Sequence, residues 1–218
     1  MSEKHYSYVL FDLDGTLTDS GPGIMNGFTY AIKEMGKEVP EPEVLKRFVG
    51  PPLSDSFRNV LGYSPEETEK GIALYKEYYN KLGGALENSV YPGIYELLKK
   101  LKDGNRTIMV TTSKALQGTN TVLEHFGLRD YFDFIATPDG ASIITKTDVI
   151  NRILEEYKIK DRNSAVMVGD RHYDITAARS LKMDSIGVLY GYGSRKELEE
   201  AGATYLAEKP DDIAEIVL

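Results

Sequence analysis

Five short stretches of this chain are apolar almost without a break: YVLF (Tyr8–Phe11), TIMVT (Thr107–Thr111), FDFIAT (Phe132–Thr137), AVMVG (Ala165–Gly169) and SIGVL (Ser185–Leu189). A strand with one face in water alternates apolar and polar residues. One that is nearly all apolar must be covered on both faces, as in a parallel sheet clothed by helices. Helical patterns fall between these runs, at Tyr95–Lys102, Leu116–Phe126, Thr147–Tyr157 and Ile175–Leu181. The alternation predicts an α/β fold, a doubly wound parallel sheet with a Rossmann-like core.

Between the first run and the second the rhythm fails. From Pro22 to about Val90 only helical patterns occur. GIMNGFTYAIKEMG sets Ile24, Phe28 and Ile32 on one face and ends at Gly36, a glycine suited to a helix C-terminus. A second helix opens on Ser64-Pro65 with Glu67 at its third position, and closes on a double glycine. Tyr75, Tyr78 and Tyr79 fall with Leu74 and Leu82 on what reads as a packing face. The expected organisation is a core of residues 1–20 and 88–218 carrying an inserted all-helical cap, 21–87. The Gly-, Pro- and Ser-bearing stretches TDSGPG and LENSVYPG are the expected hinges.

Composition narrows the partners. The net charge is −8 and no run of lysines or arginines offsets it, which disfavours nucleic acid and anionic membrane surfaces. There is no cysteine, hence no disulfide, thiolate metal site or cysteine nucleophile. No apolar stretch approaches the roughly 20 residues that span a bilayer, and MSEKHYSYVLF lacks the long apolar segment of a signal peptide. The expectation is a cytoplasmic protein, a monomer or weak dimer, acting on a small molecule.

Ligands of open α/β sheets gather outside the carboxyl ends of the strands. The first run ends in Asp12 and Asp14, which face the same way on an extended chain. The second leads into Thr112, Ser113 and Lys114, and the fourth into Asp170, with Asp174 one helical turn on. Lys146 opens the helical pattern KTDVINRILEEY. Carboxylates gathered on one edge repel unless a cation lies among them. An all-oxygen donor set without histidine or cysteine points to Mg²⁺, or else Mn²⁺, rather than zinc. Lysine and hydroxyl groups opposite would suit the oxygens of a phosphate. His172 stands between two aspartates, but no nucleophile-elbow sequence supports a triad, so it reads as an edge or exposed imidazole. His5 and His125 read as surface or packing residues, and Gly191 and Gly193 in YGYG as a turn.

In order and spacing, DLDGTLTDS, VTTSK, Lys146 and VGDRHYD resemble the four signature motifs of the haloacid dehalogenase-like hydrolase superfamily. FVGPPL, VYPGI and GVLYGYGSRKELEEAGA resemble its phosphoglycolate phosphatase-like branch. The resemblance implies that Asp12 is a nucleophile and Asp14 a general acid and base. It implies Mg²⁺ at Asp12, Asp14 and Asp170, with Asp174 ligating or orienting a water or Lys146. Thr112, Ser113 and Gly15 would bind phosphate, Lys146 would pair with the nucleophile, and Arg47 and Gly50 would face the leaving group; Lys114, beside the phosphate-binding pair, is a further candidate for contact with substrate. The implied activity is hydrolysis of small phosphomonoesters through an aspartyl-phosphate. Within it, phosphoglycolate-like substrates lead over 5'-nucleotides and pyrophosphate. A sugar phosphomutase and a phospho-accepting receiver module are the alternatives. An aspartate at position 14, where ion-pumping relatives carry threonine, favours hydrolysis.

Overall fold

The computed structural model describes residues 6–140 and 145–218, so His5 lies outside the described residues. The chain divides into two compact units, Met1–Thr18 with Val90–Leu218, and the insertion Asp19–Ser89. Strand β1 (Tyr8–Phe11) leads into an insertion holding α1 (Gly21–Glu34), α2 (Pro42–Lys46), α3 (Leu53–Asp55) and α4 (Pro65–Lys81). The first unit then continues through α5 (Ile94–Asp103), β2 (Thr107–Thr111), α6 (Leu116–His125), β3 (Phe134–Ala136) and α7 (Lys146–Glu156). It ends with β4 (Ala165–Gly169), α8 (His172–Ser180), β5 (Asp184–Val188), α9 (Arg195–Ala201), β6 (Tyr205–Ala207) and α10 (Pro210–Val217).

The sheet has the order β3-β2-β1-β4-β5-β6, and every neighbouring pair is parallel. Its pleat sorts the apolar runs onto two faces. Val9, Phe11, Ile108, Val110, Val166 and Val168 share one core with α5 and α10; Leu10, Met109 and Met167 share the other with α7 and α8. Both faces are thus buried, which is why the strands read as unbroken apolar runs. The sixth strand, β6, is an addition to the five expected from sequence.

The order of the strands reverses between β1 and β4, the topological switch point where such sheets bind ligands. Register puts Phe11 opposite Val168, and the N–H of Asp12 donates to the carbonyl of Val168 at 2.9 Å. The residues just beyond both strand ends therefore emerge side by side. That register brings the first acidic motif to the fourth.

The insertion is helical throughout its regular elements. Its centre is Phe28 of α1, whose ring lies 4.6 Å from Phe48, 4.9 Å from Phe57 and 5.0 Å from Tyr75. Tyr75 and Tyr79 of α4 are buried and stacked, as their helical spacing suggests, while Tyr78 is half-buried and donates to Glu87. Ser64 caps α4 and Glu67 reaches back to the Ser64 N–H, the expected capping box.

Candidate active site

The chain leaves β1 through a tight turn. The carbonyl of Leu13 accepts from the N–H groups of Thr16, Leu17 and Thr18, and Gly15 takes φ +87° within it. A side chain at Gly15 would be strained by that φ and would run into the Asp170 carboxylate, with Cβ only 2.3 Å from Oδ2. Glycine here lets the turn fold back against Asp170, leaving Asp12 and Asp14 at the same edge.

Five elements, β1, β2, β4, α7 and α8, bring charged groups together. Lys146 is the first residue of α7, whose N-terminus is fixed by a capping box between Thr145 and Asp148. Its ammonium donates to Asp12 Oδ1 at 2.7 Å and to the Thr111 carbonyl at 2.8 Å, and pairs with Asp174 Oδ1 at 2.8 Å. Asp170 follows β4, and Asp174 stands in the first turn of α8, where its Oδ2 accepts the Arg171 N–H at 3.2 Å. Lys114, just beyond β2, pairs with Asp14 Oδ1 at 3.1 Å. Thr112 is buried beside it and accepts the Lys114 N–H at 3.1 Å, while Ser113 is half-buried.

Burial and like charge strain the cluster electrostatically. Asp12 is pushed up to about 7, first by burial and then by Asp174 and Asp14, with Lys146 working against the rise. Asp170 is driven well above its ordinary value by burial, then by Asp12 and Asp174. Burial works against the Lys146 charge, yet Asp12 and Asp174 outweigh it and hold the ammonium above its ordinary value. Two of the three buried carboxylates, Asp12 and Asp174, share one lysine, and Asp170 adds a third acid beside them, so the lysine alone cannot balance the cluster when all three are ionised.

Carboxylate oxygens from Asp12, Asp170 and Asp174 can lie within 4.8 Å of one another, the spacing of ligands around one ion. All are oxygen donors, and among the described residues this is the one cluster of that kind. The fit is to a hard divalent cation, which would also relieve the repulsion that raises Asp12 and Asp170. Asp174 is engaged by Lys146 as well, so its two oxygens serve two purposes.

Arg47 lies at the end of α2 and Gly50 three residues on, with φ +102°, both in the insertion. His172 is half-exposed and its Nδ1 lies 2.9 Å from Glu197 Oε1, an acidic partner the sequence did not suggest. His125 packs edge-on against Phe126. The Lys114–Asp14 pair was not legible either, because nothing in TTSK says which way its lysine turns.

The sequence profile of the haloacid dehalogenase-like hydrolases matches residues 9–188. A tyrosine-protein kinase, PtkA, from Mycobacterium tuberculosis is 38% identical over 90% of this chain, which spans 66% of that protein's length. A 5'-nucleotidase from Pseudomonas aeruginosa is 32% identical over 92% of this chain and 90% of its own. A phosphoglycolate phosphatase from Vibrio parahaemolyticus is 26% identical over 100% of this chain and 98% of its own. Among solved structures, a predicted phosphatase from Clostridium acetobutylicum superposes with a TM-score of 0.91 and 41% identity, covering 97% of both chains.

Proposed function

Because this chain belongs to the haloacid dehalogenase-like hydrolases, in their phosphoglycolate phosphatase-like branch, we propose that it is a Mg²⁺-dependent phosphatase. Its substrates are small phosphomonoesters, and Asp12 carries the phosphoryl group between them and water. The observation behind this reading is the meeting of Asp12, Lys146, Asp170 and Asp174 at the switch point, with Asp14 alongside.

In the first half-reaction an Asp12 oxygen attacks phosphorus in line, forming a P–O bond while the bond to the leaving oxygen breaks. Asp14 gives that oxygen a proton, so an alcohol departs. In the second, Asp14 takes a proton from water as the water oxygen attacks phosphorus. The bond to Asp12 then breaks, releasing inorganic phosphate and the free carboxylate. Lys146, already against Asp12 Oδ1, holds the nucleophile in place and offsets charge on the transferring oxygens. Thr112 and Ser113 offer a hydroxyl and a backbone N–H to those oxygens, and Gly15 leaves room for the turn beside them. Asp12, Asp170, the Asp14 carbonyl and, secondarily, Asp174 are the residues that would hold Mg²⁺. That ion supplies charge stabilisation to the phosphoryl group. Arg47 is assigned to an anionic leaving group, with Gly50 shaping its loop and Lys114 as a further contact.

Phosphoglycolate-like monoesters lead the substrate list, with nucleoside 5'-monophosphates next, in keeping with the names of the phosphatase and nucleotidase relatives, and pyrophosphate after them. A second reading follows from the mycobacterial tyrosine-protein kinase: transfer from a nucleotide to tyrosine. A panel of phosphorylated metabolites, with ATP and a tyrosine peptide among them, separates the two. Phosphate release with Mg²⁺ that ranks phosphoglycolate first supports the proposal. Transfer to the peptide without phosphate release would replace it, as would turnover that only a sugar bisphosphate primes.

A further inference from the structure

The turn after β5, residues 190–193, takes no part in the chemistry above, yet it is built against Asp170. The Tyr192 N–H donates to Asp170 Oδ2 at 2.8 Å, and the Thr16 hydroxyl to Oδ1 at 3.3 Å. The Tyr190 hydroxyl donates to the Thr16 carbonyl at 3.1 Å, which ties this turn to the one that carries Asp14. Its glycines are places of close approach. A Cβ on Gly191 would lie 2.3 Å from Asp170 Cβ and 2.4 Å from the Gly15 carbonyl oxygen; one on Gly193 would lie 1.9 Å from the Asp170 carbonyl oxygen. Two of these three obstacles are backbone atoms, which cannot swing aside as a flexible side chain can.

We propose that residues 190–193 are a positioning element: with Thr16 they clamp Asp170 so that its carboxylate is preset toward Asp12 and Asp174, and so tune the site's affinity for a divalent cation. Both Asp170 oxygens receive one donor each, which fixes the plane of the carboxylate. A carboxylate has about four lone-pair positions, so room remains for an ion. Asp170 has no exposed surface, so water cannot substitute for a lost donor. The second-layer partners of ligating carboxylates commonly carry 10- to 100-fold in affinity. This inference rests on the reading of Asp170 as a cation ligand.

The test is calorimetric titration of metal-free protein with Mg²⁺ in the absence of substrate. Gly191→Ala is expected to weaken binding about tenfold or more and Thr16→Val several-fold, while Thr16→Ser stays near the wild type. The Mg²⁺ concentration for half-maximal turnover should rise in step, with the substrate KM unmoved. Val188→Ala, in the buried core of β5, is the control that lowers the melting temperature without changing Mg²⁺ affinity. Should Gly191→Ala not fold, Thr16→Val and Tyr190→Phe carry the test. Wild-type Mg²⁺ affinity in Thr16→Val and Tyr190→Phe, or equal weakening in Val188→Ala, overturns the positioning role alone. A wild-type protein that binds no Mg²⁺ removes the cation reading and this inference with it.

Discussion

In the α/β unit, the groups withdrawn from water at the sheet edge are ionisable: Asp12, Asp170, Asp174 and the head of Lys146. In the helical insertion the groups withdrawn furthest are rings: Phe28, Phe48 and Phe57, with Tyr75 and Tyr79 around them. Rings gain from burial by area and by tilted contact, whereas carboxylates lose solvation that one lysine cannot return. The insertion's ion pair between Lys37 and Glu67 is partly exposed, with side chains 34% and 40% accessible, so it bears little of that cost. Each unit therefore has its own signature of damage. Substitution at the acidic edge should take activity and spare the fold; substitution among the rings should do the reverse.

The largest effects come from the centre of each region. Asp12→Asn should lower phosphate release from an aryl phosphate by about 10⁴-fold or more, the scale of losing a covalent nucleophile. The metal-free variant should be no less stable than the wild type, because the amide cannot be charged where Asp12 is disfavoured as an anion. Phe28→Ala should instead cost about 3–5 kcal/mol in denaturant unfolding, as for a buried ring replaced by a cavity. If Asp12→Asn unfolded the chain, or Phe28→Ala cost under 1 kcal/mol, the contrast between the regions would fail.

A second difference is the sign of the pH response. Asp12 rises from its ordinary 3.8 to about 7, and Asp170 shifts the same way. A carboxyl with a higher pKa folded than unfolded favours the folded state at low pH. That contribution is intact below about 3.8 and is lost as pH climbs through about 7. In the insertion, Lys37 and the Ser64 N–H hold Glu67 below its ordinary value, so its contribution is present at neutral pH and lost on acidification. In EDTA, the melting temperature should therefore fall between about pH 4 and pH 7, and saturating Mg²⁺ should flatten the slope. A flat profile in EDTA would mean that the acidic edge is not strained.

How much of this the sequence declared differs along the chain. The strands that end at the acidic edge were legible because each is buried on both faces and written in apolar residues. Lys146 was legible because a lysine at a helix start stands against the helix dipole and invites a reason. The strand Tyr205–Ala207 was not, since it is three residues long and two of them are only half-buried. The start of α8 was set three residues late, at Ile175 rather than His172, because the polar first turn HYD carries no apolar period. The partners of Asp14 and Asp170 were hidden for a different reason. Lys114 is 100 residues from Asp14 and Tyr192 is 22 from Asp170, and only the folded register joins them.

The smallest effect gives the sharpest comparison, because both regions contain the same device. Ser64 Oγ accepts the Glu67 N–H at 3.2 Å in the insertion, and Thr145 Oγ1 accepts the Asp148 N–H at 3.2 Å in the α/β unit. Replacing either cap by alanine should cost about 1 kcal/mol, so the two variants should unfold at similar denaturant concentrations. Their catalytic consequences should part. Thr145 directly precedes Lys146, and fraying the first turn of α7 loosens an ammonium held by Asp12, Asp174 and the Thr111 carbonyl. Thr145→Ala should lower kcat on an aryl phosphate by several-fold with little change in KM, and Thr145→Ser should restore it. Ser64→Ala, matched in stability, should leave kcat unchanged. Unchanged kcat in both would mean that Lys146 is fixed by its ion pairs alone, with no help from the helix that presents it.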